Sequence, residues 1–235
     1  MKTFVLVHGS WAGGWQWRPV RERLEARGHR VLAPTLSGMA DRHHIVADDM
    51  GLHTHVEDVR ALLVWEDLRD VVLVGHSYGG MVVTGAAAAQ GARLSHLVYL
   101  DAFLPRADEA AWDVLPWQRE AFQELRLPEK PWLIRPVDQK TFFPELGEDF
   151  DAELLTPMPI ATHTDAVGAA PEPGAIPSTY VHATAPAYFD DSAARAAADG
   201  MRVVNVAAGH YVHWTHADVV ADLLHELATP VTASA

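Results

Sequence analysis

Cysteine is absent from the 235 residues, and this absence excludes several kinds of chemistry at once. Disulfide bonds, thiolate metal sites and a cysteine nucleophile all need a thiol. We therefore expect a protein without disulfides that fits the cytoplasm. A long apolar run is also missing at the N-terminus, where residues 4–7 are apolar and His8 and Gly9 follow. This run is too short for a signal sequence or a membrane span, so we expect it to form the first strand of the fold.

Basic residues are scarce relative to acidic ones. The chain has 18 Lys and Arg against 31 Asp and Glu, which gives a formal net charge of −13. This charge repels nucleic acid and anionic membrane surfaces, so we expect neither as a partner and favour a neutral small molecule. A chain of this length with 49% hydrophobic and 21% charged residues predicts one folded domain over residues 1–235. The oligomeric state stays open, with a homodimer as one option.

One stretch of the chain combines a strand, a tight turn and a helix. Residues 71–74 are apolar and mostly β-branched, which predicts a strand buried on both faces, and an alanine-rich helical run begins near Gly80. Between them, residues 75–79 (Gly-His-Ser-Tyr-Gly) match the pattern G-x-S-x-G. In that pattern the serine, here Ser77, lies on a strained turn at the carboxyl end of the strand. The alternative is a glycine-rich turn whose serine only caps the helix.

Apolar segments alternate with helical segments along much of the chain. This alternation predicts an α/β fold, in which a mostly parallel sheet is covered by helices on both faces. The predicted strands span residues 4–7, 31–33, 71–74, 94–100, 179–183 and 201–207. The predicted helices span residues 17–27, 54–65, 80–90 and 219–227, and a further helix begins near Asp190. The tail from Thr229 is expected to fray.

The stretch between Pro105 and Pro177 has a different character. Prolines recur in it and no long apolar strand is evident. Aromatic residues are scattered along it, namely Trp112, Trp117, Phe122, Trp132, Phe142 and Phe143. We interpret residues 106–177 as a cap inserted over the carboxyl edge of the sheet, where it would exclude water and shape a pocket. Each of these aromatics could line that pocket or belong to the small core of the cap.

Four segments together resemble the α/β-hydrolase superfamily, and within it the bacterial esterases similar to plant salicylate methylesterases and plant hydroxynitrile lyases. The segments are residues 4–9, 75–80, 99–105 and 209–210, so the resemblance covers nearly the whole chain. It implies an α/β-hydrolase fold and a small-molecule ester as substrate, and no cofactor is expected. It also implies that Ser77 is the nucleophile and that His210, directly after the last predicted strand, is its general base.

Backbone amides would form the oxyanion hole of such an enzyme. The resemblance implies the amides of Tyr78, directly after the nucleophile, and of Ser10, in the loop after the first strand. We expect His8 to orient that loop, and His76 to be structural or to line the pocket.

Such enzymes carry an acidic residue that completes a catalytic triad with the serine and the histidine. At this acidic residue the sequence departs from the plant pattern. In the plant relatives the acid follows the strand that corresponds to residues 179–183, but residues 184–187 here are Thr-Ala-Pro-Ala. Asp101 ends the strand that follows the nucleophile helix, a position from which some α/β-hydrolases supply the acid, and it is our first choice. Asp190 or Asp191, a few residues downstream, could reach back to His210 and supply the acid instead. Aspartates before an alanine-rich helix are, however, also typical of a helix N-terminus. A site without an acid partner is the third option.

More than one function is compatible with these residues. The favoured one is a serine carboxylesterase that cleaves small esters through an acyl-enzyme on Ser77. Hydroxynitrile lyase activity is disfavoured because the plant lyases carry a threonine and a lysine where this chain has Gly9 and Tyr211. A ligand-binding relative with little turnover is the alternative from another class, and a cofactor-free oxygenase ranks lower.

Histidine-rich stretches raise the question of a metal site. They occur at residues 43–44, 53–55 and 210–216. No carboxylate pattern of a zinc protease accompanies them, and a catalytic zinc needs three convergent protein ligands. We therefore expect no metal.

Overall fold

The computed structural model describes residues 1–228, so the predicted fraying of the tail from Thr229 lies outside the described residues. The strands are Thr3–Val7 (β1), Arg30–Leu32 (β2), Val71–His76 (β3), Leu94–Leu100 (β4), Leu133–Ile134 (β5), Met158–Pro159 (β6), Ser178–Ala183 (β7) and Arg202–Val206 (β8). Six of them form a parallel sheet in the order β2-β1-β3-β4-β7-β8. The remaining two, β5 and β6, form a short antiparallel pair.

Helices connect the strands of the sheet. The α-helices are Arg18–Ala26 (α1), Leu52–Trp65 (α2), Gly79–Gln90 (α3), Ala111–Val114 (α4), Gln118–Glu124 (α5), Gln139–Phe142 (α6), Ala161–Thr164 (α7), Asp190–Ala198 (α8), Val212–Thr215 (α9) and Ala217–Ala228 (α10). Short 3₁₀ segments occur at Gly14–Trp17, Ala40–Ile45, Gly91–Arg93 and Ala152–Leu154.

The side chains of the central strands pack into two separate cores, one on each face of the sheet. Along β1, Phe4 and Leu6 join one core with residues of α1 and α10, whereas Val5 and Val7 join the other with residues of α2 and α3. All of β3 is buried. Successive side chains of a strand point to opposite faces, so a strand covered on both faces must be apolar throughout. The predicted α/β fold with helices on both faces is confirmed.

Helix α2 begins two residues earlier than the sequence pattern predicts. The amide of Leu52, in its first turn, donates to Asp165 Oδ2 at 3.1 Å. An added Cβ on Gly51 would lie 2.1 Å from the same oxygen, so only glycine allows this approach. The acceptor comes from a distant part of the chain, which explains why local spacing misplaced the start of the helix.

Residues 106–177, called the insert below, contain only short helices and the β5–β6 pair. Hydrogen bonds hold the insert against the loops that follow β1 and β2. The Thr156 amide donates to the Trp11 carbonyl at 2.9 Å, and Thr156 Oγ1 accepts from the Ala40 amide at 2.8 Å. Trp11 Nε1 donates to the Ile134 carbonyl at 3.2 Å. Within residues 1–228, no helix is long and apolar enough to cross a membrane.

Candidate active site

Ser77 lies on the turn between β3 and α3. Its φ is 54°, a left-handed conformation that costs free energy for a residue with a side chain. Glycines make this turn possible, because an added Cβ on Gly75 would lie 2.5 Å from the Gly79 carbonyl oxygen. One on Gly79 would lie 2.7 Å from the Val7 carbonyl oxygen. The predicted strand–turn–helix arrangement is therefore present, and it lifts Ser77 to the carboxyl end of the sheet.

Asp101 and His210 are in direct contact. His210 Nδ1 lies 2.6 Å from Asp101 Oδ2, and the Asp101 carboxylate is fully buried. The other oxygen, Oδ1, accepts from the Ala183 amide at 3.1 Å, which fixes the carboxylate between the ends of β4 and β7. Because a carboxylate accepts hydrogen bonds, His210 Nδ1 carries the proton and Nε2 is left as the basic nitrogen.

The alternative carboxylates lie elsewhere. Asp190 Oδ1 is 3.0 Å from His182 Nε2, and the Asp190 side chain is 72% exposed in the first turn of α8. Asp191 is exposed in the same turn. No contact between His210 and either aspartate occurs in the described part of the chain. Of the acids considered from the sequence, the structure brings only Asp101 to His210.

A cavity of about 300 Å³ opens beside these residues. Ser77, His210, Gly9 and Ser10 contribute to its wall. Aromatic side chains make up much of the rest, namely Trp11, Trp117, Phe122, Phe142, Phe143, Tyr188, Phe189 and Tyr211. Four of the six aromatics singled out in the insert therefore line the cavity. Trp112, a buried residue of α4, and Trp132 are not among its lining residues.

Of the two candidate oxyanion-hole residues, Ser10 lines the same cavity, and Tyr78 follows Ser77 directly in the chain. The amides of Ser10 and Tyr78 donate to no backbone carbonyl in loops or turns of residues 1–228. The Ser10 loop is held by His8, whose Nδ1 donates to the Gly9 carbonyl at 2.8 Å and whose Nε2 accepts from the Leu36 amide at 3.0 Å. Burial lowers the pKa of His8 to about 4, so this ring is neutral and keeps both bonds at physiological pH.

His76 supports the loop that carries His210. His76 Nε2 donates to the His210 carbonyl at 3.0 Å, and the two rings lie 4.6 Å apart. Burial, with the adjacent His213 and His210 rings adding to it, holds the pKa of His76 well below its ordinary value. His76 is therefore a neutral residue that also lines the cavity, as expected.

The histidine-rich stretches do not converge. His55 is fully buried and bonds to the Tyr78 hydroxyl at 2.9 Å and the Ser37 carbonyl at 2.9 Å. His213 is buried, whereas His216 is exposed. Among residues 1–228, no group of three or more histidine, aspartate or glutamate side chains is placed to hold a metal ion.

His163, from α7 of the insert, touches both candidate oxyanion-hole residues and was not predicted. Its Nε2 lies 3.5 Å from Ser10 Oγ, and its ring stacks on the Tyr78 ring with the centroids 5.2 Å apart. Burial, with a smaller effect of His55, lowers the pKa of His163 to about 3. A single histidine in the insert carries no local sequence signal, because its contacts depend on how the insert folds back over the sheet.

Comparisons with known proteins agree with this fold. A bacterial relative, the carbendazim-hydrolyzing esterase of Nocardioides sp. (strain SG-4G), is 47% identical over 116 residues, which are 49% of this chain and 48% of that protein. Methylesterase 1 of Arabidopsis thaliana is 38% identical over 48% of this chain and 43% of its own length. The chain thus spans about half the length of the curated relatives it matches.

Solved structures match over nearly the whole chain. An extracellular alpha/beta-hydrolase from a Paenibacillus species aligns with a TM-score of 0.79 at 21% identity, over 97% of this chain and 99% of the other. At this identity the likeness concerns the fold. The profile of the alpha/beta hydrolase family matches residues 4–223. The chain therefore belongs to the alpha/beta hydrolase family.

Proposed function

We propose that the protein is a carboxylesterase-type serine hydrolase that cleaves small esters through an acyl-enzyme on Ser77. The observation that carries this proposal is the 2.6 Å contact between His210 and Asp101, since His210 lines the same cavity as Ser77. The esterase names of the bacterial and plant relatives support the same reaction.

Each proposed role follows from the placement of the residue. Ser77 Oγ attacks the ester carbonyl carbon, and its proton passes to His210 Nε2. The carbonyl oxygen becomes an oxyanion that accepts hydrogen bonds from the Ser10 and Tyr78 amides. His210 then gives the proton to the leaving alkoxide, which departs as the alcohol. Water, deprotonated by His210, attacks the acyl-enzyme and releases the carboxylic acid and Ser77.

Asp101 stabilises the intermediate states of this cycle. Once His210 has accepted a proton, the imidazolium lies against a buried carboxylate, and the attraction between them is strong because little water screens it. The same contact keeps the proton on Nδ1 beforehand, so that Nε2 is left without a proton and can act as the base.

The insert completes the proposed site. We propose that residues 106–177 act as a cap within a single α/β domain, because Trp117, Phe122 and Phe143 of the insert line the cavity. Such a cover excludes water and strengthens the hydrogen bonds to the oxyanion. The proposed partner is a small-molecule ester, no cofactor enters the reaction, and the cytoplasmic location stays a prediction.

Hydroxynitrile lyase activity receives less support from the site. An added Cβ on Gly9 would lie 2.9 Å from Ser77 Cβ, so a threonine there would need the backbone to move. At the other position, the Tyr211 hydroxyl donates to Gln139 Oε1 at 3.0 Å. Burial raises the pKa of Tyr211, so the hydroxyl stays neutral and offers no cation to departing cyanide.

An acylation assay tests the proposed function. Wild type, Ser77→Ala and the control Ser95→Ala, which alters a serine of β4, are mixed with p-nitrophenyl acetate and p-nitrophenyl butyrate. We expect a burst of nitrophenolate, steady turnover and an acyl adduct on Ser77 by mass spectrometry in wild type and the control. Ser77→Ala should lose all three while remaining folded by circular dichroism. A folded wild type without adduct or turnover would favour the ligand-binding alternative.

A further inference from the structure

Glu145, a residue of the insert, lies against the loop that carries His210. Its Oε1 accepts from the Tyr211 amide at 3.4 Å. An added Cβ on Gly209 would lie 2.3 Å from the same oxygen, so a side chain at position 209 would push the carboxylate away. The carboxylate therefore lies against the backbone on both sides of His210.

The second oxygen of this carboxylate, Oε2, is buried and has no hydrogen-bond partner in the described part of the chain. Glu145 is also absent from the described lining of the cavity, so it does not reach the space where a substrate would bind. A buried carboxylate without a counter-charge is costly, and such a group in a folded protein calls for an explanation. In the proposed reaction a cation does form close by, when His210 accepts the proton of Ser77.

Aromatic rings shield the buried His210 side chain from water. The Phe143 ring stacks on the imidazole with the centroids 5.3 Å apart, and the Phe189 ring stacks on it at 5.5 Å. Phe143 precedes Glu145 closely in the chain, so one short segment of the insert supplies both a ring and a carboxylate beside His210. With little water between them, charges in this place are weakly screened and interact over several ångströms.

The negative charges next to His210 come from two carboxylates. Asp101 contacts His210 Nδ1, and Glu145 contacts the backbone of the same loop. The other titratable side chains described around the His210 ring are neutral at pH 7, and they are His76, His213, Tyr188 and Tyr211. Burial holds the pKa of both histidines below and that of both tyrosines above its ordinary value. For the two tyrosines, the negative charge of Glu145 raises the pKa further.

We propose that Glu145 is a positioning residue that holds the His210 loop against the insert and stabilises, through its negative charge, the imidazolium that forms on His210. This inference rests on the proposed esterase function, in which His210 accepts the proton of Ser77. Asp101 bonds to the imidazolium directly, whereas Glu145 acts on it through the loop backbone and across space. A carboxylate that attracts the imidazolium lowers the energy of each transition state in which that cation is present.

Single substitutions separate the charge of Glu145 from its shape. Glu145→Gln removes the charge and keeps an oxygen for the Tyr211 amide, whereas Gly209→Ala displaces the carboxylate and keeps its charge. The matched control Glu148→Gln removes a charge from an exposed residue of the same segment. For each variant, and for Gly209→Ala/Glu145→Gln, kcat and kcat/KM for p-nitrophenyl butyrate are measured from pH 5 to pH 9.

We expect the acidic limb of the kcat/KM profile of Glu145→Gln to move to lower pH by about 0.5 unit, because the lost negative charge favoured the protonated ring. At pH 8 kcat should fall about 3-fold, the ratio that corresponds to this shift. Gly209→Ala should shift the limb in the same direction, and the double variant should shift it no further than Glu145→Gln, because both changes act on one contact. Glu148→Gln should keep the wild-type profile, since solvent screens an exposed charge.

A titration that needs no turnover gives the second readout. The Cε1 resonances of ¹³C-labelled histidine are followed against pH in Ser77→Ala and Ser77→Ala/Glu145→Gln, and the His210 signal is identified by its absence from His210→Gln. The midpoint for His210 should be lower by about 0.5 unit in the double variant. If p-nitrophenyl acetate fails to acylate Ser77, the esterase function fails, and these midpoints still decide the role of Glu145.

An unchanged pH profile and an unchanged midpoint in Glu145→Gln would overturn the proposal. An equal shift in Glu148→Gln would do the same, because it would trace the effect to the overall charge of the protein. A fall in kcat without a shift of either the profile or the midpoint would make Glu145 a structural contact, and the proposed role of its charge would be wrong.

Discussion

His210 Nδ1 lies 2.6 Å from Asp101 Oδ2, and the second oxygen of the same carboxylate accepts from the Ala183 amide at 3.1 Å. Asp101 itself sits at φ 43°, just after β4. One buried side chain therefore joins the ends of two neighbouring strands to the loop after β8. Both carboxylate oxygens face donors, so no neutral replacement can satisfy both.

Asp101→Asn should lower kcat by on the order of 10⁴-fold, as the same change does in serine proteases. An asparagine has one acceptor, so its amide group would point at either the Ala183 amide or His210 Nδ1, which disturbs the tautomer of the imidazole. Steady-state hydrolysis of p-nitrophenyl butyrate measures the effect. Asp190→Asn, an exposed change in α8, is the control and should keep wild-type kcat. The opposite pattern would mean that the acid has been assigned to the wrong aspartate.

Features of the site that depend on local contacts could be predicted from the sequence, and those that depend on distant contacts could not. The position of Ser77 was predictable because a buried strand, a glycine turn and a helix are consecutive in the chain. The choice between Asp101 and Asp190 was open because it depends on the pairing of β4 with β7, two strands separated by the whole insert. Parallel pairing places their carboxyl ends side by side, which brings Asp101 to Ala183 and His210.

The internal structure of the insert could not be predicted from the sequence. Prolines and scattered aromatics set residues 106–177 apart in the sequence, but the short helices found there have too few residues for a periodic pattern. The contacts of His163 with Ser10, and of Asp165 with Leu52, depend on how the insert folds over the sheet.

We expect His163 to act as a positioning residue for the proposed oxyanion hole. Thr162 Oγ1 donates to the Pro159 carbonyl at 2.7 Å and accepts from His163 Nδ1 at 2.9 Å, which leaves Nε2 to accept from Ser10 Oγ. We expect His163→Leu to lower kcat by about 10-fold with little change in KM, since a displaced amide loses part of the roughly 10²-fold that one oxyanion donor contributes.

Two further measurements separate this role from a general loss of structure. The affinity for a trifluoromethyl ketone, which mimics the oxyanion, should fall in parallel with kcat in His163→Leu. His163→Gln, which keeps an acceptor, should recover part of the lost kcat and part of the lost affinity for the ketone. Because burial holds the pKa of His163 near 3, the loss should be the same across pH 6 to 8. A change in KM alone would contradict the positioning role.

Gly80 should be among the least replaceable residues of the fold. An added Cβ there would lie 2.1 Å from the Phe103 carbonyl oxygen, and a backbone atom cannot move aside as a flexible side chain can. Gly80→Ala should therefore cost at least about 3 kcal/mol of unfolding free energy, at the upper end of overpacking effects. The control is Gly91→Ala, whose new methyl group would meet Ile176 Cδ1 at 3.2 Å, the end of a flexible side chain.

Urea unfolding at pH 7.5, followed by circular dichroism, measures both glycine variants. We expect Gly91→Ala to stay within about 1 kcal/mol of wild type, the usual range for changes without a backbone clash. If the free energy of unfolding fell equally in the two variants, α3 would have to be able to shift away from the loop after β4.

His213 should make the protein less stable as the pH falls. It is fully buried, and neither ring nitrogen has a hydrogen-bond partner within residues 1–228. Burial, and to a lesser degree the nearby His210, lowers the pKa of His213 from 6.5 to about 3. Above pH 6.5 the ring is neutral in both the folded and the unfolded chain. Between pH 6.5 and 3 only the unfolded chain takes up the proton, so stability falls by up to about 1.4 kcal/mol per pH unit.

His213→Phe removes this penalty without breaking a hydrogen bond, and the new ring can pack against Trp17 and Tyr211 as the imidazole does. The difference in unfolding free energy between variant and wild type should therefore rise by about 2 kcal/mol from pH 7.5 to pH 5. His216→Phe, a change at an exposed histidine, is the control for replacing a histidine with phenylalanine. A constant difference for His213→Phe would mean that the folded chain protonates His213 as readily as the unfolded chain, which burial next to His76 and His210 argues against.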